Sequence, residues 1–215
     1  MAKVQGGYLV AKTLHELGVR EIFSLAGGHI NPIYNACLDV GIRLIDTHHE
    51  QGAAMAADAY GRVSKSPGVC LVTAGPGFTN ALTGVAGAHM SNAPFIIISG
   101  RSGVEENDKL SLQELDQQAM AVPVTKWART VFDPLRIPEY VSNAYKRSIS
   151  DRPGPVYLGM SYEVLYPKCD EKKLSAYNTL IPSSKSEPDN KSVEDFISLL
   201  KKSKRPVAIA GSGSW

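Results

Sequence analysis

A glutamate stands at the place where an open parallel sheet would meet a ligand. His48, His49 and Glu50 directly follow an apolar run at residues 43–47, and Glu50 begins an alanine-rich helical pattern. Because ligands of parallel sheets bind beyond the carboxyl ends of the strands, Glu50 is a candidate for acid–base chemistry. The alternative is that its carboxylate only complements the helix dipole in the first turn. A zinc motif would need the order HExxH, so the sequence predicts no metal site here.

A glycine-rich turn follows another buried run. Gly75, Pro76 and Gly77 come after residues 69–73 and precede a helical pattern rich in small residues. Glycine allows a ligand to approach the backbone closely. A dinucleotide-binding fingerprint would place a third glycine where Asn80 stands, which argues against a generic nucleotide-binding protein. The sequence contains neither a GxxxxGK phosphate loop nor a GxSxG elbow, so neither class of site is supported.

A histidine and a glutamine are the remaining polar candidates. His29 follows Gly27 and Gly28 just after an apolar run at residues 21–25, so its imidazole would face the same edge as the glutamate. Adjacent glycines indicate a tight turn or a close ligand, whereas a lone histidine is more often structural, and both interpretations stay open. Gln113 lies in a polar segment where a surface position is the default.

The elements that would position these residues alternate along the chain. Short β-branched or apolar runs predict buried strands at residues 21–25, 43–47, 69–73, 95–99 and 156–159. Amphipathic stretches between the first four runs and before them predict helices at residues 7–17, 32–38, 50–64 and 78–90. This order predicts an α/β fold with a doubly wound, mostly parallel sheet and helices on both faces.

Composition narrows the classes of function. The chain has 215 residues, of which 43% are hydrophobic and 20% charged, as in globular proteins. Its formal net charge of +2 predicts neither nucleic acid nor a membrane surface as a partner. No apolar run approaches the roughly 20 residues of a membrane span, so a small-molecule partner is expected. Cys37, Cys70 and Cys169 are widely spaced and form no metal-ligand pattern, which favours a cytoplasmic location.

The composition changes after residue 167. The chain becomes rich in Lys, Pro and Ser, which predicts a linker with one amphipathic helix at residues 192–202. An apolar run at residues 206–210 then predicts a buried strand that leads into a glycine-rich turn. We therefore expect a first domain at residues 1–167, a linker at 168–203 and the truncated start of a second domain at 204–215.

Four segments together resemble the N-terminal pyrimidine-binding domain of thiamine-diphosphate enzymes of the acetolactate synthase superfamily. They are GGH at 27–29, THHEQGAAMAADAYGR at 47–62, TAGPGFTNALTG at 73–84 and PFIIISG at 94–100. The resemblance runs from about Val4 to Tyr166, and residues 204–213 are similar to the start of the family's central domain. Within the superfamily, His29 and the segments LQELDQQ at 112–118 and PVTKW at 123–127 are similar to benzaldehyde lyase and related 2-hydroxyacyl lyases.

The resemblance implies roles for the candidate residues. Glu50 would hydrogen-bond N1′ of the cofactor's aminopyrimidine ring, so that the neighbouring amino group acts as a base. His29 and Gln113 would orient the substrate carbonyl or hydroxyl and relay protons. The residues that would bind the cofactor are Glu50, Gly27, Gly28, Thr73, Gly75, Pro76, Gly77 and Asn80.

The resemblance also implies cofactors and partners. The family binds thiamine diphosphate and Mg²⁺ with a GDG motif and a later Asn in a C-terminal domain, and this sequence contains no GDG. We therefore expect the fragment alone to be inactive. The implied assembly is a homodimer or homotetramer formed through the predicted helices Glu50–Ser64 and Phe78 to Met90.

Three functions stay open at this level. The first is the N-terminal part of a carboligase or lyase that acts on 2-keto acids or 2-hydroxy ketones. The second is an acetolactate synthase proper, although that group commonly has Phe at the position of Leu112 and a small residue at that of His29. The third is a truncated, non-catalytic interaction module that uses the helix from Phe78 to Met90.

Overall fold

Six parallel strands form the main sheet of the protein. In this computed structural model, which describes residues 3–179 and 187–211, the strands are β2 Glu21–Ser24, β3 Arg43–Asp46, β4 Gly68–Val72, β5 Phe95–Arg101, β6 Trp127–Val131 and β7 Pro155–Ser161. Their order in the sheet is β3-β2-β4-β5-β7-β6, and every neighbouring pair is parallel. Two short strands, β1 Lys3–Gln5 and β8 Lys168–Asp170, form a separate antiparallel pair.

Helices cover both faces of the main sheet. They are α1 Gly6–Glu16, α2 Asn31–Val40, α3 Glu50–Ser64, α4 Pro76–Ser91, α5 Gln117–Ala121, α6 Ile137–Ile149 and α7 Tyr162–Leu165. The sheet divides the core into two clusters, one packed under α1, α2, α6 and α7 and the other under α3, α4 and α5. Ile96 and Ile98 of β5 contribute to the first cluster, whereas Phe95 and Ile97 contribute to the second. The predicted doubly wound α/β fold is confirmed.

The two central strands of the sheet carry the clearest sequence signals. β4 and β5 lie in the middle of the sheet and are buried along nearly their whole length, so their sequences are uninterrupted apolar runs. The five strands and four helices predicted before residue 167 are all present, with ends that differ by no more than two residues. The edge strand β6 was not predicted, because buried Ala128 alternates there with exposed Arg129 and half-buried Trp127.

Close packing of α3 on α4 explains the small residues of both helices. A Cβ atom on Gly84 of α4 would lie 2.5 Å from Cβ of Ala54 and 2.9 Å from its carbonyl carbon. A Cβ atom on Gly61 of α3 would lie 2.3 Å from the carbonyl oxygen of Pro94. Side chains at these positions would push α3 away from its neighbours, and α3 carries Glu50 at its first position.

The chain divides into two compact units, Met1–Leu180 and Ile181–Trp215. In the second unit, the predicted helix is confirmed as α8 Asn190–Lys202. Asp189 caps its N-terminus, because the Asp189 carboxylate accepts a hydrogen bond from the backbone N–H of Ser192 at 2.8 Å. The predicted buried strand at 206–210 is wrong, since those residues have no regular secondary structure and are exposed.

A strand needs a neighbour to satisfy its backbone N–H and C=O groups, and no part of the chain that the structure describes pairs with residues 206–210. The glycine-rich turn predicted after them lies, except for Gly211, outside the described residues. The domain boundaries at 167 and 203 stay predictions. Among the helices that the structure describes, none is long and apolar enough to cross a membrane.

Candidate functional site

The candidate residues come together at the carboxyl edge of the sheet. The segments that follow β2, β3, β4 and β5 lie side by side there, because all of these strands are parallel. The segment after β4 is central: Thr73 contacts the segment after β2, and Gly77 lies near the start of α3. The sequence prediction that the site lies beyond the strand ends therefore gives one contiguous group of residues.

Glu50 is buried at the N-terminus of α3, with 8% of its surface exposed. The preceding residue, His49, caps the helix, because its Nδ1 accepts a hydrogen bond from the backbone N–H of Gln51 at 3.1 Å. The amide of Asn80 on α4 donates to Oε2 of Glu50 at 3.0 Å. Two helices thus fix the orientation of one carboxylate.

The second carboxylate oxygen of Glu50 faces the backbone of a glycine. A Cβ atom on Gly77 would lie 3.6 Å from Oε1 of Glu50 and 2.7 Å from Cγ2 of Thr73. A side chain at Gly77 would therefore collide with Thr73, and glycine keeps side-chain atoms away from Oε1 of Glu50. Within the described residues, Asn80 is the hydrogen-bond partner of the Glu50 side chain, so Oε1 is available to accept a bond from a bound group.

Gly75 adopts a backbone conformation that other residues rarely take. Its φ of +59° and ψ of −116° precede the first turn of α4, and such positive φ values favour glycine. A Cβ atom here would also lie 2.8 Å from Cβ of Gln113. Both backbone geometry and space therefore require glycine at this position.

The two glycines before His29 differ in their surroundings. A Cβ atom on Gly27 would lie 2.4 Å from Cβ of Thr73, so this position has no room for a side chain. Gly28 has open space around the equivalent position, and its carbonyl accepts a hydrogen bond from Tyr166 Oη at 2.8 Å. Close packing thus explains Gly27 but leaves Gly28 without a steric requirement in this structure.

His29 lies over the end of β5 and beside the segment after β4. Its Nδ1 is 3.4 Å from Oγ1 of Thr73, and its Cβ is 2.4 Å from the place that a Cβ atom on Gly100 would occupy. Burial lowers the pKa of His29, and the nearby Glu106 carboxylate partly opposes this shift. The imidazole is therefore neutral at neutral pH, a form that can both accept and donate a proton.

Gln113 reaches the same segment from the polar loop after β5. Its backbone has a positive φ of 64°, which is unusual for a residue other than glycine. Its backbone and Cβ pack against Gly75, and the residue is half-buried. The default expectation of a surface position is therefore replaced by a contact with the glycine turn.

The sequence reasoning assigned no role to Gln117, which is 2% exposed. Its Oε1 accepts a hydrogen bond from the backbone N–H of Gly75 at 2.9 Å. Its Nε2 lies within hydrogen-bonding distance of Ser99 Oγ, of Gly100 O at 3.0 Å and of Tyr157 Oη at 3.2 Å. Gln117 belongs to the segment 112–118 that carries the resemblance, but no local pattern marks a glutamine that will be buried.

A cavity of about 450 Å³ adjoins this buried amide. Arg101, Phe132 and Tyr157 are among its lining residues, whereas Glu50 and His29 are not. Glu50 and His29 at the carboxyl edge of the sheet therefore lie outside this cavity.

Comparison with known proteins identifies the class of this domain. A family model described as "Thiamine pyrophosphate enzyme, N-terminal TPP binding domain" matches residues 4–120. The chain belongs to this family, which confirms the resemblance drawn from the sequence motifs and supports thiamine diphosphate as the cofactor.

Individual relatives come from two groups of enzymes. The chain is 40% identical to 2-hydroxyacyl-CoA lyase 2 of Danio rerio over 175 residues, which are 81% of this chain and 28% of the relative. It is 35% identical to the acetolactate synthase large subunit of Lactococcus lactis subsp. lactis over 209 residues, which are 97% of this chain and 36% of the relative. With 2-hydroxyacyl-CoA lyase of Arabidopsis thaliana it shares 34% identity over 216 residues, 98% of this chain and 38% of the relative. The chain thus spans roughly a third of the length of these curated relatives.

Proposed function

We propose that the carboxyl edge of this sheet binds the aminopyrimidine ring of thiamine diphosphate and that Glu50 activates it. The observation that carries the proposal is the buried Glu50 carboxylate, which has one oxygen held by Asn80 and the other facing the side-chain-free backbone of Gly77. A carboxylate in such a place accepts a hydrogen bond strongly, because little water competes for it.

The described residues fit this ring. An aminopyrimidine ring that is protonated at N1′ needs a hydrogen-bond acceptor at that nitrogen and a wall of backbone that the ring can approach closely. Glu50 supplies the acceptor, and Gly75 and Gly77 leave the wall without side chains. The residues that would hold the ring are those inferred from the sequence, namely Gly27, Gly28, Glu50, Thr73, Gly75, Pro76, Gly77 and Asn80.

The role of Glu50 is to hold a proton at N1′ of the ring. That proton makes the neighbouring amino group more acidic, so the amino group can lose a proton and then act as a base. When bound, thiamine diphosphate supplies a thiazolium carbon that stabilises the charge developing as a C–C bond breaks or forms. Asn80 keeps the carboxylate aimed at the ring.

The diphosphate and Mg²⁺ need other ligands. The sequence has no GDG motif, and within the described residues no group of three His, Cys, Asp or Glu side chains is arranged to hold a metal ion. We therefore assign these groups to a part of a longer protein. On this proposal, the 215-residue chain alone is inactive.

His29 and Gln113 favour a lyase or carboligase that acts on 2-keto acids or 2-hydroxy ketones. A neutral His29 imidazole can take a proton from a substrate hydroxyl, and the Gln113 amide can hold a carbonyl oxygen. Two of the relatives named above are 2-hydroxyacyl-CoA lyases, so a 2-hydroxyacyl thioester joins the candidate substrates. The second candidate remains acetolactate synthesis from pyruvate, favoured by the Lactococcus relative.

A second copy of the protein is the proposed partner. The outer faces of α3 and α4 carry the exposed apolar side chains Met55, Val63 and Met90, and burial of such a surface would stabilise a homodimer or homotetramer. The free cysteines, of which Cys37 and Cys70 are buried, favour a reducing compartment, so a cytoplasmic location is part of this proposal.

Turnover by the full-length protein tests the proposal. We would supply thiamine diphosphate and Mg²⁺ and offer pyruvate, an aromatic 2-hydroxy ketone and a 2-hydroxyacyl-CoA separately. Glu50→Gln should abolish turnover, whereas Glu105→Gln at an exposed site should not. Cleavage without use of pyruvate supports the lyase, and acetolactate from pyruvate supports the synthase. If no substrate is turned over, the catalytic proposal fails and the interaction module is favoured.

A further inference from the structure

The side chain of Gln117 is buried and fully engaged, yet neither proton transfer nor ligand contact requires it. We propose that Gln117 is a positioning residue that fixes the Gly75 turn and, through it, the wall against which the aminopyrimidine ring binds. The identity of the ligand rests on the proposed function. The positioning of the turn rests on the contacts of Gln117 alone.

The partners of Gln117 dictate which way its amide points. A backbone N–H can only donate, so the oxygen Oε1 must face Gly75. A backbone carbonyl can only accept, so the Nε2 group must face Gly100. If the amide were flipped, Nε2 would face the N–H of Gly75 and Oε1 would face the carbonyl oxygen of Gly100, and neither hydrogen bond could form. The side chain therefore bridges two strand ends in one orientation, which a shorter or apolar side chain cannot reproduce.

The first end of this bridge controls the glycine turn. Gly75 is buried, so its N–H needs a protein acceptor, and the acceptor it has is the amide oxygen of a residue 42 positions away. Gly75, with its unusual backbone angles, directly precedes α4, the helix that carries Asn80 and Gly77. Release of the N–H would leave the turn free to move, and the contacts of Glu50 would change with it.

Together, the two ends of the Gln117 side chain hold the backbone that lies behind the two proposed catalytic residues. Gly100, whose carbonyl accepts from Gln117, packs directly against the Cβ of His29. Gly75, held at the other end, packs against Gln113. One amide therefore links the backbone segments behind His29 and Gln113, so its loss should alter the alignment of the substrate as well as that of the cofactor.

A neighbouring glutamine provides a matched control. Gln118 is the next residue of α5, is half-buried, and accepts a hydrogen bond from Thr130 Oγ1 at 2.9 Å. It makes no contact with Gly75 or Gly100 among the hydrogen bonds that the structure describes. Gln117→Met and Gln118→Met thus make the same chemical change at adjacent positions, and Gln117→Asn keeps the amide but shortens its reach.

The test measures hydrogen–deuterium exchange and cofactor dependence in the full-length protein. In Gln117→Met and Gln117→Asn, exchange of the peptide that covers residues 74–80 should rise by about tenfold or more, while α1 on the other face of the sheet stays unchanged. The apparent KM for thiamine diphosphate should rise by about the same factor. Gln118→Met should match the wild type in both measurements.

Each outcome decides the proposal. Exchange at residues 74–80 that matches the Gln118→Met protein would overturn it. So would loss of the folded state in both Gln117 variants, because Gln117 would then support the whole domain rather than the turn. If the wild type does not bind thiamine diphosphate, the proposed function fails, while the exchange measurement still decides whether Gln117 positions the turn.

Discussion

Glu50 depends on residues that belong to other parts of the sheet edge. His49 ends the preceding segment and caps α3, Asn80 reaches the carboxylate from α4, and Gly77 places no side chain beside it. The first two contacts set where the carboxylate points, and the third sets what can approach it. The position of the Glu50 carboxylate therefore depends on the position of the turn after β4.

Gly75 allows this dependence to be measured. Gly75→Ala should lower the free energy of unfolding by about 1–3 kcal/mol, because it adds both a disfavoured positive φ and a clash with Gln113. Gly41 has a φ of +81° with open space around the added Cβ, so Gly41→Ala gives the backbone cost alone. Urea denaturation measures both. If Gly75→Ala lowers the free energy of unfolding no more than Gly41→Ala does, the clash with Gln113 is contradicted.

His29 gives the stability a defined pH dependence. Its folded-state pKa is lowered by burial below the ordinary 6.5, so the unfolded chain binds its proton first as the pH falls. The contribution of neutral His29 to the free energy of unfolding is therefore fully present above pH 6.5 and is lost as the pH falls through the folded-state pKa. Urea denaturation at several pH values should show a smaller loss on acidification in His29→Gln than in the wild type. His89→Gln, at the exposed end of α4, should lose as much stability on acidification as the wild type. If His29→Gln also loses as much as the wild type, the proposed role of His29 in the pH dependence is refuted.

The site residues differ in how far sequence reasoning could reach them. Glu50 and Gly75 lie within four residues of the ends of β3 and β4, and that position together with their residue types marks them as candidates. Gln117 could not be found in this way, because its partners Gly75 and Gly100 are distant in sequence and meet it only after the sheet has formed.

Among the elements, α3 and α4 set the position of the carboxylate. Gly84→Ala should lower the free energy of unfolding by about 1–3 kcal/mol, because the new methyl group would overlap Ala54. Gly52→Ala lies on the exposed side of α3, with its nearest neighbour 4.0 Å away. It should stabilise the helix by up to about 1 kcal/mol. The two substitutions therefore have opposite expected signs in chemical denaturation, and equal signs would contradict the packing described.

Two strand predictions were wrong: β6 was missed, and a strand was predicted at residues 206–210 where the structure has none. The edge strand β6 was missed because polar Arg129 and Thr130 interrupt its apolar residues. The run at residues 206–210 has the apolar character of a strand but lacks a described neighbour to pair with. Residue type marks the buried central strands β4 and β5 most clearly, whereas of the two edge strands β3 was predicted and β6 was not.

For the whole molecule, the proposed assembly uses the outer faces of α3 and α4. Met90→Asp, which places a charge at an exposed apolar position on α4, should shift the full-length protein toward lower mass in sedimentation velocity. Leu38→Asp changes a similarly exposed residue on α2, on the other side of the sheet, and should leave the mass unchanged. An assembly that survives Met90→Asp intact would place the interface elsewhere.

The central claim is that Glu50 activates the cofactor rather than merely caps α3. Proton exchange at the thiazolium C2 of bound thiamine diphosphate, followed by NMR in the full-length protein, tests it most directly. Glu50→Gln should slow this exchange by about 100-fold or more while the cofactor still binds, and Glu105→Gln should leave it unchanged. Exchange in Glu50→Gln as fast as in the wild type, with cofactor bound, would contradict the account.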